Sequence, residues 1–495
     1  MASMLSVKRA CLGSVASRVA LNSGRSSAAA AAAAARTDSS TLTCRSLRAS
    51  SSAPFSGRGR LSQAARRRKQ KASTLAGDKL VSSPGAAAEA AAGAAGGKVA
   101  EASTMKNGAV AAWLFGTAGA VAVMVTVGGI TRMTRSGLSM TDWKIQGSLP
   151  PSTEAEWQSE FERYKQFPEW QQRRGMTMDE FKNIYFWEYA HRMLGRTLGV
   201  IYGVPLLYFG LRGRIPAHIR GRVAGLFALG GGQGLVGWWM VKSGLENRAE
   251  DLAAGKEIRV SPYRLAAHLA TAMLTFSLLV HTGLQARDGP RAASTSASEA
   301  ARRLFDAGVL RQGSNLRLMA VGVCGAAFLT AVSGAFVAGN DAGRCYNCFP
   351  KMTEEDWLPE EILAMRPIWR NFFENSATVQ ADHRALALTT TAAALGMFWY
   401  ARRGAGGGGR PLWAVLPATS KAATTATAGI VAAQATLGVT TLLHYAPLHL
   451  AASHQAGALT VLASSMWAAH SLRFARAPAA LPTTTAPTPS PTPRT

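Results

Sequence analysis

Cysteine is scarce in this chain, with five residues in 495, too few for a disulfide-stapled scaffold. Cys324 sits in an apolar run and is expected to be inert, while Cys11 and Cys44 fall near the N-terminus. Cys345 and Cys348 form a C-x-x-C, but Phe349 follows where a histidine would be needed, so the usual covalent c-type haem attachment is excluded. Acid is nearly absent from the first 77 residues, where Asp38 is the only one before Asp78 and Ser, Ala, Lys and Arg dominate. That composition is expected of an organellar transit peptide, and it supplies much of the net charge of +26. The charge is therefore not a nucleic-acid footprint, and no nucleic-acid partner is expected. The alanine tract at 28–35 and the Ala/Gly stretch at 85–97 are low-complexity segments that predict no domain. Residues 1–105 are read as presequence and low-complexity chain, and 472–495, ending in a Pro/Thr tail, as disordered.

Charge is also rare in eight apolar segments, 109–130, 188–210, 222–241, 263–285, 316–338, 382–401, 422–443 and 449–471. Each is long enough to cross roughly 30 Å of hydrocarbon. A chain in lipid must satisfy its backbone internally, so the segments predict an all-α integral membrane protein with eight transmembrane helices. The second-to-third connection carries Arg212, Arg214, Arg220 and Arg222 without an acid, and the sixth-to-seventh carries Arg402, Arg403, Arg410 and Lys421, again without one. Basic loops stay on the side of insertion, which for a mitochondrial presequence is the matrix, with the N-terminus. The connections after the first, third and fifth segments carry Glu154, Glu156, Glu160, Glu246, Glu250, Asp251, Glu354, Glu355 and Asp356, and these face the intermembrane space.

His191, His268, His383 and His454 fall near the starts of the second, fourth, sixth and eighth segments. Even-numbered helices all start on one side, so parity alone brings four imidazoles to one level near the acidic loops. His218, His281 and His470 have no such counterparts, and His444 and His449 lie in the short last connection.

An internal repeat doubles this arrangement. "EYAHR" (188–192) aligns with "QADHR" (380–384), "RLAAHLATAMLT" (264–275) with "LAASHQAGALT" (450–460), and "QGLVG" (233–237) with "QATLG" (434–438). The nine-residue glycine spacing Gly128 to Gly137 recurs as Gly334 to Gly343, which reads as a matching turn. The chain is expected to form two tandem, pseudo-symmetric four-helix bundles, 106–285 and 316–471, joined by a matrix-side linker at 286–315. Each bundle offers one pair of histidines, His191 with His268 and His383 with His454. Two imidazoles are too few for a closed zinc site but suit the axial positions of a haem iron, and bundle interiors hold such cofactors. Arg192 and Arg384, each directly after a histidine, are candidates to contact haem propionates.

The two halves differ at one position: Glu188 precedes its histidine by three residues, and Gln380 takes its place in the second half. An ionisable group within a span is a functional candidate by default. A carboxylate one helical turn from a haem ligand is placed to accept a proton or stabilise charge on a carbon being oxidised. The alternative is a pairing of Glu188 with Arg192.

The segments "GGITRMTRSGLSMTDWK" (128–144), "EYAHRMLGR" (188–196), "QGLVGWWMVKSGL" (233–245), "SPYRLAAHL" (261–269), "GAFVAGNDAG" (334–343), "YNCFPKM" (346–352) and "HQAGA" (454–458) resemble the haem A synthase family of the mitochondrial and alphaproteobacterial type, over roughly 109–471. The resemblance implies oxidation of the C8 methyl group of haem O to a formyl group, through two hydroxylations to a geminal diol that loses water, making haem A for cytochrome c oxidase. It implies a haem b on His383 and His454 as cofactor, haem O as substrate on His191 and His268, and Glu188 as the catalytic residue. It further implies a multi-pass location in the mitochondrial inner membrane, with electrons from ferredoxin and its reductase and substrate from haem O synthase. A homo-oligomer is compatible with this reading. Cys345 and Cys348 depart from the animal pattern; a disulfide, an electron-transfer role and no catalytic role all stay open for them. The competing function is a diheme b-type membrane cytochrome that only carries electrons, which explains the histidines and the repeat but not the Glu188/Gln380 difference.

Overall fold

A computed structural model describes residues 84–140, 142, 144, 146–246, 258–292, 306–404 and 411–475. Residues 1–83 of the expected presequence and low-complexity segment, 293–305 of the expected linker and 476–495 of the expected tail lie outside the described residues. The ends of the linker belong instead to the long helices Pro262–Ala292 and Ala307–Gly339, and Leu472 to Ala475, expected to be disordered, are ordered, with Leu472 and Ala475 buried against the helices. The chain divides into a unit at 1–101, described only as the helix beginning at Pro84, and a unit at 102–495 that holds everything below.

Among the described residues the regular structure is helical, with eight long helices: α1 (Pro84–Met133), α2 (Met178–Leu211), α3 (Arg220–Leu245), α4 (Pro262–Ala292), α5 (Ala307–Gly339), α6 (Ser376–Arg403), α7 (Ala418–Leu443) and α8 (Leu448–Ser471). Each of the eight apolar segments lies in one of them. Five contain stretches long and apolar enough to cross a membrane, at Gly108–Met133, Met178–Leu211, Pro262–Asp288, Ala307–Gly339 and Ala418–Leu443. The other three carry the polar residues: Arg220, Arg222, Gln233 and Lys242 in α3, Asp382 to Arg384 and Thr389 to Thr391 in α6, and His449, His454 and Gln455 in α8.

Helix α2 begins ten residues before the expected span. Thr177 and Glu180 form a capping box, the Thr177 hydroxyl accepting from Glu180 N while the Glu180 carboxylate accepts from Thr177 N (2.8 Å). The extra turns pack Phe181, Ile184 and Tyr185 against Phe161 and Tyr164 of the short helix Glu154–Lys165, with Trp157 and Trp170 at the edge of that cluster. His191 therefore lies nearly four turns into its helix rather than near its start, while His268, His383 and His454 are seventh, eighth and seventh in theirs.

Helix α3 packs on α4, α5 on α6, α7 on α8, and α6 on α7. Across the halves, α4 packs on α5 and on α8, and one continuous core joins Leu114, Met273 and Leu279 to Leu459 and Leu462. The guanidinium of Arg132, at the end of α1, donates to Ala338 O (2.9 Å), and Arg259 donates to Gly339 O (3.0 Å) and Asp341 (3.2 Å). These cations meet the carbonyl end of α5, where the helix dipole favours positive charge.

Candidate functional site

Each histidine ring is seated against a helical glycine of the preceding long helix. A Cβ built on Gly128 would lie 2.7 Å from His191 Cε1, on Gly237 3.0 Å from His268 Cε1, on Gly334 3.2 Å from His383 Cε1, and on Gly438 2.8 Å from His454 Cε1. Contacts below about 3 Å are too close for carbon atoms, so a side chain at Gly128 or Gly438 would displace its ring, and one at Gly237 or Gly334 would press the ring by a few tenths of an ångström. Gly128 and Gly334 are thus not turn residues, as their spacing implied, but notches inside α1 and α5. The turns lie beyond them, where Arg135 and Asp341, at matching places in the repeat, both adopt left-handed backbone (φ 55° and 51°).

The structure brings His383 and His454 together, with ring centroids 6.4 Å apart and planes at 82°. Imidazole–metal bonds of about 2 Å, with about 1.1 Å from nitrogen to ring centre on each side, place two axial rings about 6.2 Å apart. The pair fits that separation. The Ser333 hydroxyl donates to Thr330 O (2.8 Å), so its oxygen is left to accept from His383 Nδ1 (2.8 Å). The proton is then held on Nδ1 and the Nε2 lone pair is free for a metal. Gln434 Nε2 donates to His454 O (2.7 Å) and lies 3.1 Å from His454 Nδ1.

The first pair repeats half of this. Gln233 Nε2 donates to His268 O (2.8 Å) and lies 3.1 Å from its Nδ1, while the Thr271 hydroxyl donates to Gln233 Oε1 (2.7 Å). His191 lies within electrostatic reach of His268. Its Nδ1, however, is buried with no hydrogen-bond partner among the described residues, and the residue corresponding to Ser333 is Val127.

Glu188 and Gln380 are both buried, at 2% and 3% exposure, and both brace the loop that follows the preceding odd-numbered helix. Glu188 Oε2 accepts from the Ser139 hydroxyl (2.7 Å) and Met140 N (2.8 Å), and Oε1 accepts from Arg192 (2.6 Å). Gln380 Nε2 donates to Ala342 O (2.7 Å) and Cys345 O (2.6 Å), and its Oε1 accepts from Arg384 (2.9 Å). The acid meets donors and the amide meets carbonyls, so the difference between the halves matches the groups each loop presents. Arg192 donates to Met140 O (2.8 Å) and Asp142 O (2.7 Å), and Arg384 donates to Tyr346 O (2.7 Å) and Lys351 O (3.2 Å). Both arginines clamp loop carbonyls beside the histidines.

A second buried acid lies outside the long helices. Glu169, at 6% exposure, has Arg173 Nε 3.6 Å from Oε1 and lies within reach of the buried Tyr164 hydroxyl. Burial pushes the Glu169 carboxyl up to about 7, with Arg173 and Arg135 pulling it down and the Glu188 charge adding to the rise.

A family model described as cytochrome oxidase assembly protein, COX15-CtaA, matches residues 111–466. The chain belongs to that family. The match starts in α1 and ends in α8, so both histidine pairs, their glycine seats and Glu188 lie within it. Relatives in the COX15-CtaA family include "Heme A synthase COX15" of Arabidopsis thaliana, 47% identical over 366 residues, 74% of either chain. The human protein of the same name is 42% identical over 366 residues, 74% of this chain and 82% of its own. A "Heme A synthase-mitochondrial ferredoxin fusion protein" of Schizosaccharomyces pombe is 40% identical over 387 residues, 75% of this chain and 61% of its own.

The glycine seats, Ser333, Gln233 and Gln434 belong to the site although the histidine pattern does not point to them. Their signal was present in the shared Gln-x-x-x-Gly of 233–237 and 434–438. One turn of helix puts the amide and the notch on one face, facing the next histidine.

Proposed function

We propose that the protein is a haem A synthase of the mitochondrial inner membrane, oxidising the C8 methyl group of haem O to the formyl group of haem A by successive hydroxylations. The observation that carries this is the spacing of the His383 and His454 rings, which suits an iron between them, in a chain whose relatives bear that name. The eight helices are taken as eight spans in two tandem bundles, the acidic loops facing the intermembrane space.

The second bundle holds haem b on His383 and His454, and the first holds haem O on His191 and His268. The difference in anchoring supports that order. A ligand histidine whose Nδ1–H is fixed binds metal more tightly, as suits a resident cofactor, whereas His191 lacks that partner, as suits a substrate that must leave. Haem b, when bound, supplies single electrons to the first site. Ser333 and Gln434 orient its ligands. Arg192 and Arg384, each clamped to its loop, present positive charge at the pocket rims toward propionates. Glu188 Oε2 is the site in the first bundle where a proton can be held, because the Ser139 hydroxyl can rotate from donor to acceptor when it arrives. Ferredoxin is taken as the electron source, in keeping with the name of the fission-yeast relative, and haem O synthase as the source of substrate.

The test is pigment extraction from protein made together with haem O synthase. Haem b with haem A is expected; haem b alone would establish the electron-carrying cytochrome instead. Glu188→Ala should keep haem b and lose haem A, and an unchanged haem A yield would remove Glu188 from the chemistry.

A further inference from the structure

Gln455 follows His454 directly, yet its side chain leaves the second bundle. Its Nε2 donates to Val125 O on α1 (3.1 Å), and the amide lies so close over Gly129 that a Cβ there would overlap Gln455 Oε1. The neighbouring Gly128 is the seat of the His191 ring. One side chain thus ties the helix carrying a ligand of the second pair to the helix wall behind a ligand of the first. The repeat does not copy it: Leu269 follows His268, and Ala335 follows Gly334.

Two physical points make this more than packing. An amide wedged between two helices and half-buried is costly to leave unbonded, so the contact has a set reach and direction that an aliphatic side chain would not impose. His191, with no hydrogen bond on Nδ1 among the described residues, has only its packing walls to orient its ring. We propose that Gln455 is a positioning residue that sets the α1 wall behind His191, so that the haem b half fixes the ligand geometry of the substrate half. This rests on the functional reading above.

The test uses the full chain purified with haem b and titrated with haem O, following the spectrum of each haem. Gln455→Leu, which installs the residue type of the other half, is expected to keep haem b and its low-spin spectrum. It should bind haem O about tenfold more weakly, the scale of one contact of about 1.4 kcal/mol, and lose the low-spin signature of the first site. Gly129→Ala should do the same alone, and its effect should shrink in a Gln455→Ala background, where the amide is gone. Wild-type affinity and an unchanged first-site spectrum in Gln455→Leu would overturn the inference, as would an equal cost of Gly129→Ala in both backgrounds. If the wild-type chain itself takes up no haem O, the functional reading fails first and this inference falls with it.

Discussion

At the scale of single residues, His191 and His383 differ by one hydroxyl in their surroundings. Ser333 accepts from His383 Nδ1, while Val127 stands at the matching place on α1 and His191 Nδ1 has no partner among the described residues. Removing a hydrogen-bond partner behind a metal ligand commonly costs about 10–100-fold in affinity. Ser333→Ala should therefore lower haem b content and shift its reduction potential, read by titration of the purified protein. Val127→Ser should act in the opposite sense on the first pair, so that haem survives purification there in larger amount and leaves more slowly. A Val127→Ser protein with unchanged first-site occupancy would show that His191 is not limited by its missing hydrogen bond. None of this could be read from the histidine pattern, because which hydroxyl meets which nitrogen depends on the angular phase of two helices. The Glu188/Gln380 difference was visible in the sequence, but its structural share was not: each side chain meets loop groups that only the fold brings near.

At the scale of elements, the loop between α1 and α2 is a small folded layer. Its short helices Glu154–Lys165 and Pro168–Gln172 bury aromatic rings on the extension of α2 and enclose Glu169. The acid titrates in the native state near 7, raised from an ordinary value of 4.5, so the folded chain holds this proton more tightly than the unfolded one. Stability from this group is present below about 4.5 and is lost as pH rises through about 7, by on the order of 3 kcal/mol in all. Glu169→Gln should remove that slope, leaving the variant more stable than wild type at pH 8 and close to it at pH 4.5, as measured by thermal unfolding in detergent. Equal slopes in the two proteins would mean that Glu169 is solvated. Helix existence is legible because each of eight sparsely charged runs falls in one long helix, although five of these helices are apolar enough to cross a membrane. The N-terminal extension of α2 is not, since the polar turns before Glu188 carry no hydrophobic run and the capping box of Thr177 with Glu180 is a short local signal. The glycines at 128 and 334 imply turns by their spacing yet lie inside helices, because glycine serves close approach and tight turning alike and only the facing ring tells which.

At the scale of the whole molecule, if each half spans the membrane with four helices, as proposed, the even number makes both halves enter it in the same sense. The loop geometry agrees internally: Arg192 and Arg384 clamp carbonyls at Met140 and Tyr346, which are matching positions in the repeat. On the proposed eight-span reading, the connections after α1 and α5 lie on one face of the membrane and those after α2 and α6 on the other. Single cysteines placed at Ser152 and Glu355, in a chain whose own cysteines are replaced, should react with a membrane-impermeant maleimide from the outer face of the inner membrane. A cysteine at His218 should react only after the membrane is opened. The histidine level is tied to this outcome, since the proposed reading has all four imidazoles in helices that start from the acidic side. Labelling of Ser152 and His218 positions from the same face would break the parity on which four ligands at one height depends, and the paired-haem reading with it.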